Sequence, residues 1–315
     1  MIGGQREIGK TSLMKVVINE IKKREQIPGI YINLRGVRSL NSLLFMLVSE
    51  INKEKISWRF KVNINFLITS AGIEIRGGSK GRVVNSLIEL LNSSDDIVIA
   101  FDEVQELSFA SKQFLDVLGN VYATNPKVHI ILSGSYVGLV KALLSPPSDS
   151  PLHGRPPTEI RLKPFDKEKS IYFLEKGMQE LGIRFNRHDE VIEKLDGIVG
   201  WLTLFGNFHV VRKLDFEIAL RETIGEGKKI MLEEFNHFLS NKENKQLYCN
   251  IMNVLKLASK WKDIKNGVEI RMGKVDDKVF SNALQNLVNF NFVSKVDDEY
   301  KIVDPMLKEI NFNKC

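Results

Sequence analysis

The sequence predicts an α/β domain with a mostly parallel sheet, followed by an all-α domain and then by helices that end in a β-hairpin. Short, continuous apolar runs alternate with amphipathic helices over residues 1–164. Residues 165–241 show helical periodicity without a strand signal. Residues 242–315 combine helices with two short strands around an acidic turn. These three segments are the predicted domains.

A glycine-rich stretch near the amino end matches the pattern G-x-x-x-x-G-K-[ST] at every fixed position. Its residues are Gly4, Gln5, Arg6, Glu7, Ile8, Gly9, Lys10, Thr11 and Ser12. Gly4 and Gly9 allow a tight loop whose N–H groups face phosphate oxygens. Lys10 supplies a positive charge to the β- and γ-phosphates, and the Thr11 hydroxyl is placed to bind Mg²⁺. The stretch predicts a nucleoside triphosphate site; the alternative is a glycine-rich turn beside a surface lysine.

The helix after this loop is predicted from Leu13, Val17 and Ile21, which recur on one face. No strand is predicted before the loop, because only Met1 and Ile2 precede Gly3. The motif normally follows a buried strand, and a loop without one is less preorganised. The sequence therefore predicts that nucleotide is bound poorly and that any activity on it is weak, unless the protein begins upstream of Met1.

The next segments alternate between strand and helix. A buried strand is predicted around residues 30–32, and a helix follows over residues 40–51. Residues 59–68 alternate apolar and polar side chains, which predicts a half-exposed strand, and residues 73–75 supply its antiparallel partner. A helix over residues 83–91 returns the chain to the core.

A second chemical signal is a buried apolar run over residues 97–101 that ends in Asp102 and Glu103. In an open α/β sheet the carboxyl ends of the strands form the ligand-binding edge, where both carboxylates are expected. Asp102 is then placed to hold the Mg²⁺ shell, and Glu103 to accept a proton from the attacking water. The alternative is an ordinary strand leaving the core. Its position about 90 residues after the glycine-rich loop favours the catalytic interpretation.

Two further residues are candidates for the site. Ser133 follows a predicted strand over residues 128–132, where its hydroxyl could sense the γ-phosphate or form a plain strand-to-helix turn. Arg155 lies in an irregular Pro-rich loop, residues 145–158, before a predicted strand over residues 159–162. An arginine on such a loop can stabilise charge that develops on the γ-phosphate, whereas most loop arginines contact only solvent.

The remaining chain is predicted to be mainly helical. Four amphipathic helices contain residues 171–178, 191–195, 201–211 and 218–239. After them come a helix over residues 247–258, a basic connector, a helix over residues 279–288, and strands around 292–296 and 300–303. Helices closed by a β-hairpin indicate a winged helix.

The predicted helix around residues 279–288 carries polar residues on its exposed face. They are Lys278, Ser281, Asn282, Gln285 and Asn289. Such side chains can read base edges in DNA, but the acidic turn at residues 297–299 would repel phosphate. DNA binding and a protein-contacting role both stay open.

The composition excludes several classes of protein. The 315 residues are 43% hydrophobic and 27% charged, and no apolar run is long enough to cross a bilayer, so a cytoplasmic protein without a membrane partner is expected. Two cysteines without a C-x-x-C pair and five scattered histidines give no zinc site. The net charge of +6 is compatible with a nucleic-acid partner and with a lysine-rich solvated surface.

In this order, four segments resemble the archaeal ATPase family within the AAA+/STAND group of P-loop proteins. They read GGQREIGKTS, IVIAFDEVQEL, HIILSGSYVG and PLHGR. The resemblance covers nearly the whole chain and implies a P-loop NTPase domain over residues 1–164, a helical lid over 165–241 and a winged helix over 242–315. The lid turn of relatives often reads G-x-P-G, whereas residues 197–200 of this chain lack the proline.

The resemblance also implies the chemical roles. Lys10 and Thr11 correspond to the residues that bind phosphate and Mg²⁺, and Asp102 and Glu103 correspond to the acidic pair. ATP and Mg²⁺ are the implied cofactors, and hydrolysis of ATP would switch the core, lid and winged helix between two arrangements.

Two more positions match the family pattern: Ser133 as the sensor and Arg155 as the arginine finger.

The alternative function is a non-hydrolysing or weakly hydrolysing regulator of the same fold that binds DNA or protein. The partner, the oligomeric state and the choice between ATP and GTP stay open.

Overall fold

The computed structural model describes residues 1–54, 66–69, 72–75, 80–134, 139–240 and 242–314. The chain divides into two compact units. The first unit contains residues 1–3 and 10–161, and the second contains residues 4–9 and the chain from residue 162 onward.

The first unit alternates strands and helices, as predicted. Its elements are, in chain order, β1 (Ile2–Gly3), α1 (Lys10–Arg24), β2 (Gly29–Asn33), α2 (Leu40–Lys53), β3 (Phe66–Thr69), β4 (Gly72–Ile75), α3 (Lys80–Asn92), β5 (Ile97–Asp102), a 3₁₀ helix (Val104–Ala110), α4 (Ser111–Thr124), β6 (Val128–Leu132), α5 (Leu139–Leu144) and β7 (Ile160–Arg161). β3 and β4 form the predicted antiparallel pair, with Phe66 opposite Ile75. The predicted strand residues 59–65 lie outside the described residues.

Five strands of this unit run parallel. β5 lies between β2 and β6, with Ile30 opposite Ile99 and Ile99 opposite Ile130. β1 pairs with β7, and Ile2 also forms a parallel bridge with Ser133, directly after β6. The strand order is therefore β2–β5–β6–β1–β7, and the carboxyl ends of all five strands lie at one edge.

The prediction that no strand precedes the glycine-rich loop is wrong. Ile2 and Gly3 form β1, and they lie opposite Ile160 and Arg161 of β7. Two residues suffice because β7 lies on one side and Ser133 lies on the other. The reason for expecting weak turnover is thereby removed.

Within its described residues, the second unit is helical except for one hairpin. Its elements are α6 (Lys167–Glu180), α7 (His188–Leu195), α8 (Val199–Gly206), a π-helix (Asn207–Val211), α9 (Phe216–Leu239), α10 (Lys245–Val254), α11 (Trp261–Met272), α12 (Asp277–Asn289), β8 (Val293–Val296), β9 (Glu299–Ile302), α13 (Pro305–Lys308) and a 3₁₀ helix (Phe312–Lys314). In the described part of the chain, each helix is too short or too polar to span a bilayer.

The carboxyl-terminal part of this unit is a winged helix, as predicted. β8 and β9 pair antiparallel, with Val293 opposite Ile302. The predicted basic connector is wrong, because it forms helix α11 with Ile264 and Val268 buried. Trp261 and Met272, at the two ends of α11, are partly buried against the same hydrophobic cluster. Gly267 lies where a Cβ atom would be 2.7 Å from Cγ1 of Val254, so α10 and α11 pack closely.

The lid helices and the winged helix bury one continuous hydrophobic cluster. The ring of Phe235 in α9 lies 5.3 Å from the ring of Phe292 and 4.9 Å from that of Phe312. The indole Nε1 of Trp201 in α8 donates a hydrogen bond of 3.1 Å to Oδ2 of Asp304, which precedes α13. Residues 165–241 and the winged helix therefore share their core.

Candidate active site

The carboxylate of Asp102 is the centre of a polar cluster in the first unit. Asp102 ends β5, whose six residues are all buried, and it is 2% exposed. Its Oδ2 accepts hydrogen bonds from the Thr11 hydroxyl at 2.5 Å and from the Tyr31 hydroxyl at 2.8 Å. Its Oδ1 accepts from the Ser133 hydroxyl and from the backbone N–H of Glu103 at 3.0 Å. Four donors from three neighbouring strand ends and α1 therefore converge on one buried carboxylate.

These hydrogen bonds decide the ionisation of Asp102. Burial alone would raise its pKa, but hydrogen bonds from Ser133, Thr11 and Tyr31 outweigh burial and lower the pKa below its ordinary value. Burial and the hydrogen bond to Asp102 raise the pKa of Tyr31, so its phenol stays protonated and donates. The cluster therefore holds a carboxylate anion at neutral pH.

This donor set fits Mg²⁺. The ion prefers oxygen ligands, keeps several waters, and is usually held by one or two carboxylates together with phosphate groups. Thr11 supplies a hydroxyl oxygen and Asp102 supplies the anionic carboxylate, in contact with each other. These two residues are the ones that would hold the ion.

The other charged residue of the motif begins α1. Lys10, Thr11 and Ser12 form the first turn of this 15-residue helix. The N–H groups of a helix's first turn have no partner within the helix, and the helix dipole adds partial positive charge there. With the ammonium of Lys10, this turn suits an anion such as a phosphate group.

Glu103 lies directly after β5 in a left-handed backbone conformation, with φ of 59°. The N–H of the following residue, Val104, donates to the carbonyl of Ser133 at 2.9 Å and fixes this turn to the end of β6. The side chain of Glu103 accepts a hydrogen bond from Nε2 of Gln105. A partly exposed carboxylate is thus held at the carboxyl edge of the sheet, one residue from Asp102.

Ser133 lies at the predicted strand end, but its hydroxyl is directed at Asp102. It is fully buried, and its Oγ donates to Oδ1 of Asp102. Its position therefore supports the carboxylate of Asp102, and its direct contact with a γ-phosphate stays a prediction.

Arg155 is not brought to this cluster. It lies five residues before the start of β7, and therefore near the amino edge of the parallel sheet. Its guanidinium lies over the ring of Tyr122, 5.4 Å from the ring centroid, near the carboxyl end of α4. Tyr122 is 63% exposed. Asp102 and Thr11 follow the carboxyl ends of β5 and β1, at the opposite edge.

The first residues of the motif, Gly4 to Gly9, belong to the second unit. Gly4 has φ of 142°, and a Cβ atom there would lie 2.9 Å from the carbonyl oxygen of Leu162. Gly9 has φ of 91°, so both fixed glycines adopt backbone angles that other residues rarely adopt. Gln5 and Ile8 are buried, whereas Glu7 between them is exposed.

One backbone hydrogen bond and one ion pair hold this loop within the second unit. The backbone N–H of Gly200, in the first turn of α8, donates to the carbonyl of Glu7 at 2.8 Å. A Cβ atom on Gly200 would lie 2.5 Å from Oε2 of Glu7, so this approach requires glycine. Arg6 forms an ion pair of 2.6 Å with Glu234 of α9. The turn at residues 197–200 thus contacts the loop although it contains no proline.

Sequence reasoning missed Tyr31 and Gln105. Asn33 lies opposite Asp102 and Tyr31 lies opposite Ala100, so Tyr31 projects on the same face as Asp102. The sequence signal for Tyr31 was that a tyrosine stands between two isoleucines in a strand predicted to be buried. Gln105 had no signal beyond its place two residues after Glu103.

Comparisons with known proteins identify the family of the chain and the type of its carboxyl-terminal domain. Residues 1–204 match the model of an ATPase domain predominantly from Archaea, and residues 242–303 match the winged helix-turn-helix domain at the carboxyl terminus of MCM proteins. No curated protein matches the chain.

Two solved structures illustrate the similarity. The Walker-type ATPase paby2304 of Pyrococcus abyssi is 30% identical with a TM-score of 0.80, and the match covers 98% of this chain and 89% of that chain. The ORC1 protein of Aeropyrum pernix, in complex with DNA, is 14% identical with a TM-score of 0.49, covering 99% of this chain and 85% of that one. By the domain match and the first of these structures, the chain belongs to the family of ATPase domains found predominantly in Archaea.

Proposed function

We propose that this chain binds ATP with Mg²⁺ and hydrolyses it to ADP and inorganic phosphate. One observation carries the proposal: the hydroxyl of Thr11, in the phosphate-binding motif, donates to the buried carboxylate of Asp102. The pair joins the two sequence signals that predicted a nucleotide site. Membership of an ATPase family supports the same activity.

The residues divide the chemistry between them. The loop N–H groups and Lys10 would bind the phosphates, and Thr11 and Asp102 would hold Mg²⁺, which would supply positive charge that stabilises the reacting phosphate. Glu103 accepts a proton from water as the water oxygen bonds to the γ-phosphorus. The bond between that phosphorus and the β–γ bridging oxygen breaks, which releases ADP.

The roles of the remaining two candidates differ from the expectation. Ser133 contributes through Asp102, because its hydroxyl donates to that carboxylate. Arg155 of the same chain takes no part in the proposed reaction, because its guanidinium lies over Tyr122 near the amino edge of the sheet.

We further propose that ATP changes the conformation of the second unit. Glu7 of the loop accepts a hydrogen bond from Gly200, and the next residue, Trp201, donates to Asp304 before α13. These two hydrogen bonds would therefore transmit a shift of the loop to the winged helix. Hydrogen exchange with and without MgATP tests this: slower exchange is expected in α8 and α13, and unchanged exchange in α13 would reject the switch.

The activity is tested with Glu103→Gln. The substitution keeps the shape of the side chain but removes the proton acceptor, so ATP binding should stay within about threefold while turnover falls at least about 100-fold. Phosphate release and equilibrium ATP binding are the measurements. Glu106→Gln, three residues later in the 3₁₀ helix that follows Glu103, is the matched control and should hydrolyse normally. Equal turnover of wild type and Glu103→Gln would reject the assignment.

A second candidate function is DNA or protein binding through the winged helix. The match of residues 242–303 to the MCM winged helix favours it, as do the exposed Lys278, Asn282 and Gln285 of α12. Asp297 and Asp298 at the hairpin turn oppose DNA. A gel-shift titration of the full chain against salt decides: DNA binding would weaken steeply as salt rises, and no shift at low salt would leave a protein partner.

A further inference from the structure

The side-chain amide of Gln105 lies between the carboxylate of Glu103 and the backbone of Gly134. Its Nε2 donates to Oε2 of Glu103. Its Oε1 lies against Gly134, where a Cβ atom would be only 2.5 Å away. Gly134 follows Ser133 at the carboxyl end of β6, and its φ angle is not in the left-handed region. The backbone conformation at position 134 therefore does not require glycine, but the room left by the missing side chain is needed for the neighbouring Gln105.

The backbone around Gln105 is also fixed. Val104, the residue before it, is fully buried and donates its N–H to the carbonyl of Ser133. The 3₁₀ helix that begins at Val104 carries Gln105 in its first turn. The amide therefore has few alternative positions, and its hydrogen bond restricts the carboxylate that it contacts.

We propose that Gln105 is a positioning residue for Glu103 and that Gly134 provides the space that Gln105 needs. The proposal rests on the proposed function, in which Glu103 is the proton acceptor. A donor on Oε2 holds the carboxylate in one rotamer and leaves Oε1 to accept the proton of the attacking water. Gln105 touches neither water nor phosphate in this scheme; it acts only through Glu103. Correct orientation of a catalytic group contributes to the rate of the chemical step and not to substrate affinity.

The first test is Gln105→Ala in the full chain. Loss of one hydrogen bond to a charged group should lower kcat roughly tenfold, while KM for ATP stays within about twofold. Gln113→Ala in α4 is the control for a glutamine nearby in sequence and should keep wild-type kcat. An unchanged or increased kcat for Gln105→Ala would overturn the proposal, as would an increase of KM equal to the decrease of kcat.

The second test is a double-mutant cycle with Gly134→Ala. The new methyl group should displace the amide of Gln105, so kcat should fall several-fold in the otherwise wild-type chain. In the Gln105→Ala background the nearest obstacle is gone, while Cγ2 of Val104 and Cγ2 of Val140 remain 3.0 and 3.1 Å from the new Cβ atom. Gly134→Ala should therefore lower kcat by a smaller factor in that background than in the wild-type chain. Additive losses would mean that Gly134 acts independently of Gln105 and would overturn the proposal.

The proposed hydrolysis of ATP and the proposed role of Gln105 can be rejected separately. If wild type releases no more phosphate than Glu103→Gln, the proposed function fails and the role of Gln105 falls with it. If wild type hydrolyses ATP, Glu103→Gln does not, and Gln105→Ala matches wild type, only the role of Gln105 is overturned.

Discussion

The phenol oxygen of Tyr31 lies 2.8 Å from Oδ2 of Asp102, one strand away in the parallel sheet. The contact joins β2 to β5 at the edge where the motif's Thr11 also reaches the same carboxylate oxygen. Tyr31 therefore takes part in the ionisation of Asp102 although it lies outside both sequence motifs.

Tyr31→Phe removes this donor and keeps the ring. We expect the free energy of unfolding to fall by about 1 to 3 kcal/mol, because the buried carboxylate of Asp102 loses one hydrogen bond. Urea denaturation at pH 7 measures the change. Tyr172→Phe is the control, since Tyr172 is 67% exposed, and it should cost almost nothing. Equal stability of the two variants would contradict the role of Tyr31.

Asp304 should make the stability of the chain depend on pH. Burial, together with the charges of Glu7 and Asp196, raises its pKa from 3.8 to about 6, against the hydrogen bonds from the Met306 N–H and the Trp201 indole. The folded chain therefore binds this proton more tightly than the unfolded chain does. The resulting stabilisation is complete below about pH 4 and is lost as the pH rises through 6, a change of roughly 3 kcal/mol.

The measurement for Asp304 is urea denaturation of wild type and Asp304→Ala between pH 4 and pH 7. The alanine variant lacks the titrating group, so the stability difference between the two proteins should shrink as the pH rises. A difference that stays constant over this range would show that Asp304 does not titrate in the folded chain.

Two glycines of α9 should respond in opposite directions to alanine. A Cβ atom at Gly225 meets nothing within 4 Å, so Gly225→Ala should stabilise the helix by about 1 kcal/mol. A Cβ atom at Gly227 would lie 2.9 Å from Cγ and Sδ of the buried Met306, and Gly227→Ala should destabilise by about 1 to 3 kcal/mol. Thermal unfolding of both variants checks the pair, and a shift of the same sign in both would contradict the packing.

Arg155→Ala should leave turnover of the single chain unchanged within about twofold, since no electrostatic stabilisation reaches the γ-phosphate from the amino edge of the sheet. Phosphate release by dilute protein is the measurement, with Lys10→Ala as the variant that should lose nucleotide binding. A tenfold or larger decrease for Arg155→Ala would restore this residue to the reaction.

The sequence predicted well what depends on local periodicity. The buried run before Asp102 and Glu103 specified β5, and the apolar spacing from Leu40 to Ile51 specified the inner face of α2, where the structure buries each expected position. That Thr11 and Asp102 lie close together could be predicted, because each belongs to a motif with fixed residue types; the role of Thr11 toward Mg²⁺ stays a prediction.

Features that depend on distant partners could not be predicted in this way. β1 is too short to show a pattern and exists because β7 and Ser133, more than a hundred positions away, lie beside it. Tyr31 could not be assigned because the sequence does not state that β2 lies next to β5. The location of Arg155 away from the site could be predicted in part. A residue just before a parallel strand lies at the amino edge of the sheet, whereas the ligands of such sheets bind at the carboxyl edge.

The continuous cluster that joins the lid helices to the winged helix limits how this protein can be divided. Phe235 and Phe238 of α9 pack on Phe292, so a chain that ends at residue 240 would expose these rings to solvent. A fragment that starts at residue 242 would expose Phe292 and Met306 in the same way. Neither half carries a complete core, and the two are expected to unfold as one cooperative block.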